Sequence, residues 1–169
     1  MINMAAQKEK TMASSNGTTI IVMSGDMDKV IAAFNIAIGA AAAGKETNMF
    51  FTFWGVKAIQ KGNLTGKSFF GRMLGLMNRG GIERLGPSRF NFGGIGRWMF
   101  KVMMRNHKMP MLEDLRKTAL ELGVKFHPCE MSMQVMEISH EDLIDEVEPT
   151  CGVASMLEMS DRSKQTLFI

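Results

Sequence analysis

The chain has 169 residues, of which 46% are hydrophobic and 22% are charged, a size and composition typical of one globular domain. This balance excludes a chain that is disordered throughout, which would combine low hydrophobicity with high charge. The longest apolar stretch, at 30–43, is shorter than the roughly 20 residues that a membrane-spanning helix needs. No apolar signal segment precedes it, and there are only two cysteines. We therefore expect a cytoplasmic protein without a disulfide framework.

Basic residues are concentrated in the middle of the chain. Between Lys57 and Lys108 there are five Lys and six Arg against Glu83 alone, whereas the rest of the chain is acidic; the overall net charge of +3 conceals this asymmetry. Such a segment predicts contact with an acidic or anionic partner. We expect no nucleic acid among its partners.

The first part of the chain shows strand and helix patterns in alternation. Residues 1–17 are polar and are predicted to form a disordered tail before a domain at 18–169. The β-branched run 18–23 predicts a buried strand. A helix is predicted from about Lys29, capped by Asp26 or Asp28, to Gly44. The apolar run 47–56 predicts a second, central strand.

Residues 57–110 interrupt this alternation and are predicted to be a basic insertion rich in Gly and Met. It contains two amphipathic stretches, the second of which repeats Arg97, Lys101 and Arg105 at every fourth residue, beside an apolar stripe that includes Trp98. A basic amphipathic helix suits a membrane surface or an acidic partner. The alternative is a lid that packs on the protein's own core or on a second subunit, with its charges in solvent.

Regular patterns return after Pro110. They predict a helix closed by Gly123, a strand at 124–128, helices at 130–138 and 139–147, a strand at 150–153, a helix at 155–164 and a last strand at 166–169. Alternating strands and helices predict an α/β fold, in which a mostly parallel sheet of about five strands is covered by helices on both faces.

Motifs for cofactors are missing from the sequence. Residues 62–68 resemble a phosphate-binding loop, but their two glycines are separated by three residues instead of four. The three histidines, His107, His127 and His140, lie too far apart in the sequence to suggest a metal site. We expect neither a metal nor an organic cofactor.

Cys129 is the residue with a chemical argument. It follows a predicted strand and precedes a predicted helix, and chemistry in open α/β sheets collects at the carboxyl ends of strands. A sulfur at a helix N-terminus lies near unpaired N–H groups, which stabilise the nucleophilic thiolate. Position alone leaves two interpretations open, a reactive thiol and a buried inert cysteine.

Cys151 occupies the next predicted strand-to-helix connection, 22 residues later along the chain. If both cysteines lie on one sheet edge, they could form a disulfide or pass sulfur between them, but sequence cannot establish the short Cα distance that a disulfide requires. We therefore predict a secondary role for Cys151.

Four segments of the chain carry a resemblance to a known family. They are 24–29 (SGDMDK), 50–55 (FFTFWG), 129–133 (CEMSM) with Met136, and 152–154 (GVA). In this order and spacing the chain resembles, over about 18–169, the DsrE/DsrF-like sulfur-relay family, and closely its longer branch with an insertion after the second strand. The resemblance implies a three-layer flavodoxin-like sandwich that forms oligomers. It also implies that Cys129 accepts sulfur as a persulfide, and it assigns no role to Cys151.

These observations together predict a sulfur carrier or sulfurtransferase. Cys129 would take sulfane sulfur from a donor protein and pass it to an acceptor thiol, with Gly93–Gly96 and Arg97 flanking the site if the insertion folds over it. The alternative is a binding or assembly module, in which Cys129 is structural and Arg97, Lys101 and Arg105 dock a membrane-associated redox or sulfur-oxidation complex. A thiol peroxidase is a third interpretation, but the sequence shows no clear group of Arg and Thr residues near Cys129.

Overall fold

The computed structural model describes residues 16–169, so that all but the last two residues of the predicted tail lie outside the described part. In chain order the elements are β1 (Gly17–Val22), α1 (Met27–Ala42), β2 (Thr47–Phe51), α2 (Phe69–Met77), α3 (Ile95–Asn106), α4 (Leu112–Glu121), β3 (Lys125–Pro128), α5 (Glu130–Val135), α6 (Val153–Asp161) and β4 (Ser163–Phe168). Short 3₁₀ turns lie at Phe53–Ile59, Ile82–Arg84, Phe92–Gly94 and His140–Asp142. None of the described helices is both long and apolar enough to cross a membrane.

The strands form one parallel sheet in the order β3-β2-β1-β4. In register across its centre, Ile20 of β1 lies opposite Met49 of β2 and Leu167 of β4. The α/β class and the parallel sheet are confirmed, but the described residues form four strands and not five. The segment predicted as a strand at 150–153 contributes only a one-residue bridge between Cys129 and Cys151, because α6 begins at Val153.

Two further predicted elements are wrong in extent or type. The run 47–56 is a strand only as far as Phe51, because Gly55 turns back and donates its N–H to the carbonyl oxygens of Met23 and Thr52, both at 2.9 Å. The predicted helix at 139–147 is a single 3₁₀ turn. The Ile144 N–H donates to the Ile59 carbonyl at 2.9 Å instead of continuing a helix.

The main hydrophobic core lies between the sheet and the face that carries α1 and α4. At its centre are Phe34 of α1, Phe51 of β2 and Phe126 of β3, all fully buried. Their ring centroids are 5.4–6.4 Å apart, in tilted and edge-on arrangements that aromatic pairs favour. This cluster connects one helix with the two strands whose carboxyl ends lead to Cys129.

The opposite face of the sheet carries α6 and a much smaller cluster. Ile21, Phe50 and Cys129 form its buried part, and Cys151, Met156 and Met159 pack against them. The edge strand β4 is largely exposed. Cys129 therefore belongs to the thinly covered side of the molecule, beneath α6.

Candidate functional site around Cys129

Cys129 lies at the carboxyl edge of the sheet, directly after β3. Its N–H donates to the Phe51 carbonyl at 2.9 Å, which continues the pairing of β3 with β2. Its own carbonyl accepts from the Met133 N–H at 3.1 Å as α5 begins. The residue has an extended backbone at the N-cap of α5, and it is 1% exposed. The predicted strand-to-helix position of this thiol is therefore found in the structure.

Hydroxyl groups from two elements surround the Cys129 thiol. The Ser132 hydroxyl, on α5, accepts from the Phe53 N–H at 2.9 Å and lies 2.8 Å from the Thr52 hydroxyl. Either hydroxyl can be the donor in this contact, and the proton of the other is then free to point at the sulfur. The site thus holds donors in place for a thiolate.

These donors favour the thiolate form of Cys129. Burial acts to raise the pKa of Cys129, but hydrogen bonds from the Ser132 side chain and N–H, from the Thr52 hydroxyl and from the Met131 N–H outweigh it, so the pKa lies below its ordinary value. Hydrogen bonding to the charged form favours ionisation. Because thiolate is the reactive form of cysteine, the site favours a nucleophile.

Cys151 lies beside Cys129 at the edge of the sheet. The two residues are partners in a parallel β-bridge, and Cys151 is half-buried. Burial raises the pKa of the Cys151 thiol, and the negative charge of Cys129 raises it further. The structure therefore brings the two cysteines together and shifts the pKa values of their thiols in opposite directions.

No pattern in the sequence predicts a role for Ser132 or Thr52 by itself. The signal for Ser132 is its position three residues after Cys129 at the start of a helix, where side chains reach the same N-terminal region. Thr52 has no comparable signal, because its hydroxyl meets Ser132 from 80 positions away in the chain.

The basic residues of α3 do not lie with Cys129. Arg97 donates to the Arg84 carbonyl at 2.7 Å, and Lys101 contacts both the carbonyl and the carboxylate of Glu83. Arg105 is exposed. Gly96 lies against the backbone of Phe90. These contacts attach the start of α3 to residues 83–91, so two of the three cations expected to face an anion instead hold the insertion together.

The insertion exposes its apolar side chains. On α2 and α3 the exposed large hydrophobic residues are Phe69, Phe70, Met73, Leu76, Met77, Ile95, Trp98, Met99, Phe100 and Met103. Only Gly96 and Met104 of α3 are buried. Within this single chain the apolar stripe of α3 is therefore not covered by the protein's own core, and burial on a second subunit or contact with an anionic surface stays a prediction.

A cavity of about 1030 Å³ opens at the same edge of the sheet, over the ends of β1 and β4. Its lining includes Ser24, Asp26, Trp54 and Lys57, together with apolar residues of α2. The Lys57 ammonium donates to the Asn78 side chain and lies 5.7 Å from the centre of the Trp54 ring. Burial lowers the pKa of Lys57. Cys129 is not part of this lining. No pattern in the sequence predicts the cavity.

A family model and two curated relatives match most of the chain. The model of the DsrE/DsrF/DrsH-like family matches residues 14–168. The chain is 39% identical over 154 residues to a Bacillus subtilis (strain 168) protein named "Uncharacterized protein YrkE", which covers 90% of this chain and 96% of that protein. It is 29% identical to "Sulfur carrier protein DsrE2" of Allochromatium vinosum, with coverage of 89% and 96%.

A solved structure supports the fold. The crystal structure of the ychN protein from E. coli superposes with a TM-score of 0.54 at 13% identity, covering 90% of this chain and 99% of that one. At this level of identity the likeness concerns the fold alone. It agrees with the flavodoxin-like sandwich that the sequence predicts.

Proposed function

Since the chain belongs to the DsrE/DsrF/DrsH-like family, we propose that it is a sulfur carrier that holds sulfane sulfur as a persulfide on Cys129. Family membership and the relative named as a sulfur carrier support a role in sulfur relay, with other proteins as donor and acceptor. The observation that supports the finer proposal is the position of Cys129 at the N-cap of α5, next to the Ser132–Thr52 hydroxyl pair. The donors there lower the pKa of Cys129.

The transfer consists of two nucleophilic displacements. The Cys129 thiolate attacks the outer sulfur of a donor persulfide, a new S–S bond forms, and the donor leaves as a thiolate. An acceptor thiolate then attacks the outer sulfur now held by Cys129, which leaves as a thiolate again. A lowered pKa raises the thiolate fraction of Cys129 for the first step and makes Cys129 a better leaving group in the second.

Access to the sulfur requires a local movement. Cys129 is 1% exposed, and the side chains that lie over it come from Cys151, Met156 and Met159. Methionine side chains are flexible and adapt to new neighbours. We propose that a donor reaches Cys129 by displacing the 151–159 segment, where α6 has no buried residue.

Mass spectrometry of the intact protein after incubation with a polysulfide tests this proposal. We expect the wild type to gain sulfur at early times and Cys129→Ser to gain none at any time, because serine keeps the size of the side chain but removes the nucleophile. Cys151→Ser is the matched control and retains the uptake. Loss of uptake in Cys151→Ser, with uptake retained in Cys129→Ser, would contradict the assignment.

The exposed apolar insertion favours a second candidate function, an assembly module. Its occupant is a second copy of this chain, because the basic segment 57–108 complements the acidic remainder of the same sequence, which holds 9 basic and 16 acidic residues. Burial of α2 and α3 against that copy would also cover their apolar side chains. A membrane surface and an acidic protein of another kind are the competing occupants. Neither of them predicts self-association of the purified chain.

A further inference from the structure

The backbone holds the two cysteines side by side. The Glu130 N–H donates to the Cys151 carbonyl at 3.0 Å, and the Cys151 N–H donates to the Pro128 carbonyl at 3.1 Å. These two hydrogen bonds enclose Cys129 and make Cys151 its bridge partner. Paired residues on neighbouring parallel strands lie about 4.8 Å apart and direct their side chains to the same face. That separation falls within the roughly 4.4–6.8 Å between Cα atoms that a disulfide requires.

The two thiols also share their surroundings. Cys151 packs against the cluster of Ile21, Phe50 and Cys129, so that its side chain lies on the same side of the sheet as Cys129. The two differ in exposure, since Cys129 is fully buried and Cys151 is half-buried. A buried thiol with a lowered pKa therefore lies beside a more exposed thiol with a raised pKa, as in a dithiol pair.

We propose that Cys151 is a resolving thiol, which attacks the Cys129 persulfide and releases its sulfur as hydrosulfide, leaving a Cys129–Cys151 disulfide. This inference rests on the proposed function, because it needs the persulfide as its starting point. It adds a second fate for the bound sulfur, release as sulfide, beside transfer to an acceptor protein.

The step is balanced without an external oxidant. The Cys151 thiol loses its proton to solvent, and its Sγ attacks the Sγ of Cys129. The bond between that Sγ and the outer sulfur breaks, and its electron pair leaves with the outer sulfur as hydrosulfide. The sulfane sulfur is reduced to sulfide while the two cysteine sulfurs are oxidised to the disulfide. A dithiol reductant in solution returns both thiols to the starting state.

Attack on the inner sulfur is favoured by its leaving group. Hydrosulfide is a weaker base than an ordinary alkanethiolate and leaves readily, and the position of Cys151 beside the inner sulfur directs the attack to that atom. The bridge also places the two Sγ atoms on neighbouring backbones, so that the attack is intramolecular. Well-oriented intramolecular reactions have very high effective concentrations.

The experiment follows sulfur after loading. Protein is treated with sodium polysulfide, desalted without air, and followed by sulfide detection and intact mass. We expect the wild type to release one hydrosulfide per chain and to end two hydrogens lighter than the reduced protein. Cys151→Ser should keep its added sulfur and release sulfide roughly a hundredfold more slowly, since an intramolecular attack is lost. Ser155→Ala, an exposed change on α6, should behave as the wild type.

Failure of this inference can be told apart from failure of the proposed function. If the wild type takes up sulfur but keeps it as long as Cys151→Ser does, or if the added sulfur is found on Cys151, the inference is overturned and the carrier function stands. If no variant takes up sulfur, the carrier function fails. The reduced protein is then treated with diamide, which accepts two electrons and two protons from a dithiol. A disulfide within one chain supports the pair, and two free thiols overturn it.

Discussion

At the scale of single residues, the proposed reactivity of Cys129 rests on the hydroxyl of Ser132. Ser132 is fully buried, and its oxygen is held by the Phe53 N–H and the Thr52 hydroxyl. Burial alone would favour the neutral thiol. Reactivity at this position therefore depends on neighbours that come from two different parts of the chain.

Ser132→Ala should reduce the reactivity of Cys129. In a Cys151→Ser background, we expect alkylation by iodoacetamide at neutral pH to slow about tenfold, because a hydrogen bond to a charged acceptor contributes roughly 1.5 kcal/mol. The midpoint of the rate against pH should move to higher pH. Ser155→Ala is the control and should leave the midpoint unchanged. An unchanged midpoint in Ser132→Ala would remove the hydrogen-bond argument.

The sequence predicted half of this site. The position of Cys129 at the sheet edge is predictable because it depends on neighbouring residues. A strand, Pro128, Cys129 and a helix follow one another directly in the chain. Thr52 and Cys151 could be joined to it only through the alignment of separate strands. The Cys129–Cys151 bridge and the Thr52–Ser132 contact are long-range, and no local pattern records them.

At the scale of elements, the insertion is attached to the domain by core side chains, among them Ile59, Ile82 and Leu85, and by polar contacts. The N-terminus of α2 is held by Glu137, whose carboxylate accepts from the Lys67 N–H, the Ser68 N–H and the Ser68 hydroxyl. Hydrogen bonds from the Ser68 side chain and from these N–H groups lower the pKa of Glu137. Since Glu137 follows α5, this contact connects the insertion with the helix that begins at Cys129.

Glu137→Ala should loosen α2 without unfolding the domain. We expect faster hydrogen exchange of the amides at 67–77 in this variant, while exchange in β1 and β2 stays as in the wild type. Glu141→Ala, an exposed change nearby, is the control. Equal exchange of α2 in all three proteins would contradict the role of this carboxylate.

The same contact predicts a dependence on pH. The folded-state pKa of Glu137 lies below its ordinary value, so its contribution is complete above the ordinary carboxyl pKa and is lost as pH falls through the lowered one. We therefore expect hydrogen exchange of α2, corrected for its intrinsic pH dependence, to increase on acidification in the wild type and not in Glu137→Ala. Faster exchange of the α2 amides at higher pH, after the same correction, would contradict this prediction.

Element predictions succeeded where a local pattern determined the structure and failed where distant backbone did. Helix α1 and strand β1 follow from apolar spacing, and the glycines at 44 and 123 have φ values of +74° and +78°, as their end-of-helix positions require. The end of β2 depends instead on Gly55, where a Cβ atom would lie 2.0 Å from the Val22 carbonyl oxygen. That close approach comes from the fold and has no signature in the run 47–56.

At the scale of the whole molecule, stability depends on one face of the sheet. Phe126→Ala removes a fully buried ring from the Phe34, Phe51 and Phe126 cluster. We expect a loss of about 3–5 kcal/mol in the free energy of unfolding, typical of a large-to-small change in a core, measured by urea denaturation. Phe168→Ala, where the side chain is 67% exposed, is the control and should cost much less. Similar losses in both variants would contradict the larger contribution assigned to the Phe34, Phe51 and Phe126 cluster.

The whole molecule also exposes the apolar side chains of the insertion, and its basic segment 57–108 stands against an acidic remainder. Both features would contribute to contact with a second copy of the chain. Association driven by opposite charges weakens as salt screens them, whereas burial of aromatic side chains gives such an interface its affinity. We therefore expect self-association at low salt in sedimentation velocity, and weaker association as salt rises.

Trp98→Asp tests the apolar part of this contact. Trp98 is 67% exposed on α3, and loss of a buried tryptophan from an interface costs at least about 2 kcal/mol, which corresponds to more than a tenfold weaker dissociation constant. Leu122→Asp, a 43% exposed position at the end of α4, is the control and should associate as the wild type does. Arg105→Glu should reduce association mainly at low salt, because Arg105 is exposed while Arg97 and Lys101 are held by Arg84 and Glu83. A protein that stays monomeric at every salt concentration but sediments with anionic vesicles would assign the insertion to a membrane surface instead of a second copy.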